Sequence, residues 1–124
     1  MHNSNGRRSG TSRTLAQPLG LKEAKALLSE LKGWTLVAGK ALRKEFVTKD
    51  FMAAVRLIDV VARAAEAEGH HPDLHLTGYR RLVIELSTHA LGALSMRDFI
   101  LAERIDALAA AEGHPPRRRH PVAA

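Results

Sequence analysis

The chain has 124 residues, 45% of them hydrophobic and 26% charged, with no cysteine. That excludes a disulfide scaffold, a thiolate metal site and a cysteine nucleophile, and no run approaches the ~20 apolar residues of a membrane span. The net charge of +6 sits at the ends: residues 1–20 and 113–124 each carry three arginines and no acid, while residues 21–112 hold 13 Lys+Arg and 13 Asp+Glu. The body is therefore neutral, and nucleic acid is not an expected partner for it.

Residues 1–17 are rich in Ser, Thr, Asn, Gly and Arg and read as a disordered leader without the apolar run of a secretory signal. Residues 113–124, with Pro115-Pro116, Arg117–Arg119 and Pro121, read as a disordered basic tail. Residues 18–112 remain as one domain, and with no signal or span a cytoplasmic location is expected. A first helix is predicted over Leu21–Leu31, where Leu21, Ala24, Leu28 and Leu31 recur on one side, with Gly33 as its stop. Trp34–Val37 and Leu42–Val47 flank Ala38-Gly39-Lys40 as a hairpin. Thr48 or Asp50 then caps a helix over Phe51–Glu68, closed by Gly69. Its polar residues Arg56, Asp59, Arg63 and Glu66 share one narrow arc, so the apolar remainder is too wide for a sheet alone to cover. Strands near Leu74–Thr77 and Tyr79–Ser87 follow, and Ser95–Asp98 is a capping-box pattern opening a last helix, Met96–Ala110. The order argues an α+β domain: a four-stranded antiparallel sheet of two hairpins with about three helices packed on one face.

The chain has no Gly-rich phosphate loop, no Ser nucleophile elbow and no HExxH pair. What stands out is histidine at element ends: His70 and His71 after a helix, His89 after a strand. Imidazole titrates near neutrality and can give or take a proton there. Asp98 falls on the inward stripe of the last helix with Leu101, Ala102, Ile105 and Leu108. An acid facing inward needs a donor, which a neighbouring histidine or a ligand would supply. Glu66 could simply pair with Arg63, and Pro72 biases His71 to an extended backbone.

Glu66-x3-His70-His71-Pro72, then Tyr79, His89 and Asp98, closely resembles the signature of pterin-4a-carbinolamine dehydratases. The resemblance runs from about Leu21 to Leu108 and includes Gly33-Trp34 and Asp50-Phe51; Gly92-Ala93-Leu94-Ser95 departs from the family's usual Gly-Gly-Leu-Thr. It implies removal of water from 4a-hydroxytetrahydropterin to give quinonoid dihydropterin, in recycling that serves an aromatic amino acid hydroxylase, with no metal or other cofactor. It also implies that His70 and His89 act as general acids and that His71 positions the ring. Glu66 and Asp98 would orient histidines or bond the pterin, Ser87 and Thr88 would contact it, and Pro72 belongs to the same binding motif. Relatives form homodimers or homotetramers. The competing expectations are a coactivator-type interaction module, a dehydratase of a molybdopterin-related pterin, and a metal site built on His70, His71 and His89.

Overall fold

A computed structural model describes residue 15 and residues 17–114. The leader and tail expectations therefore lie almost wholly outside the described residues. Helix α1 (Leu21–Leu28) precedes strands β1 (Thr35–Val37) and β2 (Ala41–Val47). Helix α2 (Phe51–Glu68) leads to β3 (Asp73–Thr77) and β4 (Arg81–Leu86). A 3-10 turn (His89–Leu91) and helix α3 (Met96–Ala111) complete the order.

The two hairpins make one antiparallel sheet in the order β1-β2-β4-β3. β2 and β4 meet at its centre, with Leu42 opposite Leu86, Lys44 opposite Ile84 and Phe46 opposite Leu82. Strand alternation sends Leu42, Phe46, Leu82, Ile84 and Leu86 to one face. There they meet Leu57, Val61 and Ala64 of α2 and Leu101, Ala102 and Ile105 of α3 in a single core. No described helix is long and apolar enough to cross a membrane.

Lys44 is the one charged residue on that inward face, and it is fully provided for. Its Nζ donates to the Lys32 carbonyl at 2.8 Å and to Asp106 Oδ1 at 2.8 Å. Asp106 also accepts from Trp34 Nε1 at 3.0 Å. The cluster ties the segment before β1 to β2 and α3.

Helix α2 begins and ends at the expected residues. Asp50 is its cap, accepting from Ala53 N at 2.8 Å. Thr48, the other candidate, instead donates its hydroxyl to the Asp50 carbonyl at 2.9 Å. Gly69 closes the helix in the left-handed region, at φ 63°. Arg63 pairs with Asp59 at 2.9 Å, not with Glu66. That hydrogen bond, with the Asp59 charge, raises the guanidinium pKa above its ordinary value. The apolar arc of α2 is only partly covered, since Phe51 and Met52 remain 50% and 56% exposed and Val55 is also exposed.

Several boundaries differ from expectation, those of β1, β2, β3 and α3 by a single residue at one end. The first helix stops at Leu28, because Ser29 Oγ donates back to the Ala26 carbonyl and the next amides tighten to the i−3 carbonyls of Leu27 and Leu28. Leu31 still packs on the core from that tightened turn. Tyr79 lies in the β3–β4 turn rather than in a strand, with φ 57° after Gly78 at φ 55°. Ser87 falls just past β4.

Candidate functional site

Helices α2 and α3 run antiparallel, so the end of α2 meets the start of α3. Arg97 fixes that junction: its Nη2 donates to the Glu68 carbonyl at 2.9 Å and the Gly69 carbonyl at 3.3 Å. The backbone entering His70 is thereby tied to the first turn of α3.

Asp98, at the third position of α3, is fully buried. Its Oδ1 accepts from His70 Nε2 at 2.6 Å. Its Oδ2 accepts from Thr88 Oγ1 at 2.8 Å and from Ser95 N at 3.0 Å. Thr88 has one hydroxyl proton and gives it to Asp98. The 2.7 Å contact between Thr88 Oγ1 and Ser95 Oγ is therefore donated by Ser95. Ser95 Oγ in turn accepts from Arg97 N at 3.3 Å. The chain of bonds has one direction and ends on the carboxylate.

That direction fixes the imidazole. Asp98 supplies only acceptors, so His70 Nε2 carries hydrogen. Nδ1 is then the nitrogen left to exchange a proton with anything outside this network.

His71 projects differently, as neighbours on an extended backbone must. It is exposed, and its Nε2 sits 2.9 Å from Glu66 Oε1. Pro72 follows, half-buried, before β3. Ser87 and Thr88 leave β4 half-buried, and His89 opens the 3-10 turn next to Thr88 with its side chain exposed. The loop is closed by a bridge between Thr88 and Ala93, and Gly92 turns it at φ 62°. Ala93 has no positive φ, so the alanine that departs from the family pattern sits in backbone that any residue can adopt. His75 is exposed on β3, opposite Val83, one residue along from the inward-facing Leu74 and Leu76.

The structure thus joins His70, Thr88 and Asp98 directly, pairs His71 with Glu66, and sets His89 beside Thr88. Among the described residues, no group of three or more His, Cys, Asp or Glu side chains is placed to hold a metal ion. Ser95 and Arg97 are site-supporting residues that the sequence reading passed over. Ser95 was visible only as a helix cap.

Comparison with known proteins gives a consistent result. The family model described as pterin 4 alpha carbinolamine dehydratase matches residues 17–108. A Nitrosospira multiformis protein named for that dehydratase activity is 41% identical over 91 residues, which is 73% of this chain and 79% of that one. The mitochondrial pterin-4-alpha-carbinolamine dehydratase 2 of Arabidopsis thaliana is 41% identical over 90 residues; the match spans 70% of this chain and 48% of the longer plant protein. Among solved structures, a transcriptional coactivator/pterin dehydratase from Brucella melitensis superposes with a TM-score of 0.70 at 31% identity, covering 75% of this chain and 99% of that one. A pterin dehydratase-like protein identified as a RuBisCO assembly factor in the alpha-carboxysome matches with a TM-score of 0.53 at 25% identity, covering 62% of this chain and 89% of that one.

Proposed function

The chain belongs to the pterin-4a-carbinolamine dehydratase family, and we propose that it removes water from 4a-hydroxytetrahydropterin to give quinonoid dihydropterin. The observation that carries this reading is the grip of Asp98 on His70 Nε2, which leaves Nδ1 as the proton-exchanging nitrogen. Hydroxide is a poor leaving group. A proton delivered from His70 Nδ1 to the 4a-hydroxyl lets the C4a–O bond break with water as the product. The N5 lone pair closes the C4a=N5 bond, N5 releases its proton, and the atoms balance without a redox partner.

The remaining residues take supporting parts. His89, presented on the 3-10 turn, serves as the acid for the hydroxyl on the opposite face of the ring. His71, held by Glu66, positions the ring. Pro72 keeps the His71 backbone extended, and Ser87 and Thr88 line the approach. The folding unit is taken as residues 18–112, the compartment as the cytoplasm, and the supplier of substrate as an aromatic amino acid hydroxylase. Tetrahydrobiopterin is the natural pterin in this reading. The exposed Phe51, Met52 and Val55 of α2 support assembly into a dimer or tetramer.

Steady-state kinetics on both stereoisomers of the carbinolamine test the reading. His70→Ala and His89→Ala should each lose about 10²–10⁴-fold or less, and the double variant far more than either. His71→Ala should raise KM more than it lowers kcat. His75→Ala should be silent. A His75→Ala defect as large as that of His70→Ala, or activity abolished by a chelator, would overturn these roles. A folded parent protein with no turnover would favour an assembly role instead.

A further inference from the structure

Seven arginines fall among the described residues. Five hold a partner. Arg43, Arg63, Arg81 and Arg104 face the carboxylates of Glu85, Asp59, Glu45 and Glu68, and Arg97 holds two carbonyls. The remaining two, Arg56 and Arg80, pair with no carboxylate among the described residues. The rest of the chain contains no Asp or Glu that could supply one. Both line the same open cavity of about 590 Å³, together with Lys49, Thr48, Glu112 and His114.

This cavity lies at the far end of the helix pair from His70. The antiparallel packing that joins the end of α2 to the start of α3 also brings the start of α2 beside the residues following α3. Thr48 is buried there, and its amide donates to the Arg80 carbonyl at 2.9 Å. In a body whose charges otherwise cancel, three cations gather around one carboxylate, Glu112. Two guanidinium groups and an ammonium on one cavity, against a single carboxylate, leave an excess of positive charge that a bound anion would offset. A guanidinium fork matches the oxygen geometry of a phosphoryl group. The volume lies within the range of small-molecule sites.

We infer that the cavity between Arg56 and Arg80 is a second ligand site, which takes the phosphoryl group of a small phosphorylated molecule. Lys49 adds a point charge at its rim, and Thr48 fixes the backbone that carries Arg80. The site is independent of the dehydratase reading, since none of these residues belongs to the His70 network.

Isothermal titration calorimetry with inorganic pyrophosphate tests this on the full chain, at constant ionic strength held with sodium chloride. One site per chain is expected. Affinity should fall about ten-fold or more in Arg56→Gln and further in Arg56→Gln/Arg80→Gln. Arg56→Lys/Arg80→Lys keeps the charge but loses the forks, and should weaken binding less than the Gln pair. The control Arg43→Gln/Arg81→Gln removes the same charge from the sheet face and should change affinity by no more than about two-fold. Removing residues 115–124 should leave the site in place. Equal weakening by the two Gln pairs, loss of binding on tail removal alone, tighter binding of citrate than of pyrophosphate, or no binding at all would each overturn the inference. Carbinolamine turnover should be unchanged in Arg56→Gln/Arg80→Gln, so the outcome does not depend on whether the chain is a dehydratase.

Discussion

Asp98 offers its two oxygens to three donors of different character: an imidazole, a hydroxyl and a backbone amide. The amide cannot rotate, and its demand for an acceptor decides what Asp98→Asn would do. The carboxamide oxygen must face Ser95 N and Thr88, so the amide nitrogen must face His70. His70 Nε2 would then have to accept, and the hydrogen would move to Nδ1 as a neutral N–H. That is a far weaker acid than an imidazolium. Asp98→Asn should therefore lower kcat by about 10²–10⁴-fold with little change in KM, as steady-state kinetics would show. An unchanged kcat would mean that His70 does not donate the proton. The inward placement of Asp98 was legible from its spacing to Leu101, Ala102 and Ile105. The link from Ser95 to Thr88 was not, because it depends on the 88–93 loop folding back through the Thr88–Ala93 bridge. Nothing in the hydrophobic pattern encodes that closure.

Among the elements, α2 was readable end to end, since cap, apolar period and terminal glycine all agree. The turns were less so. Both hairpins reverse through two successive residues at positive φ: Ala38 and Gly39 at 53° and 70°, Gly78 and Tyr79 at 55° and 57°. Side-chain patterning reports which face a residue takes but not the sign of its φ, so Tyr79 read as the start of a strand. Ala38 occupies a conformation that costs an L-residue about 1–2 kcal/mol. It is exposed and takes no part in the hydrogen bonds of the site. Ala38→Asn would place the Asn-Gly pair favoured in such turns and should stabilise the fold by about 0.5–1 kcal/mol. The melting temperature should rise by about 3–6 °C, measurable by calorimetry, with turnover unchanged. A lower melting temperature would contradict this account of the turn.

At the scale of the whole molecule, the exposed apolar start of α2 is the feature that a lone chain leaves unfinished. Multi-angle light scattering at micromolar concentration should give the mass of a dimer or a tetramer. Phe51→Glu/Met52→Glu should shift it toward a single chain while the far-UV spectrum is retained. A monomeric parent protein would count against association. Sheet order has a separate bearing on how the chain reaches this state. Each hairpin pairs neighbours in sequence, but the central ladder joins residues as remote as Leu42 and Leu86 with all of α2 between them. Until that ladder closes, neither hairpin has a core to rest on. Closing it carries the loop entropy of the whole fold, so it should set the folding barrier. In a chevron plot, Leu82→Ala at the central ladder should slow refolding, whereas Leu36→Ala on outer strand β1 should mainly speed unfolding.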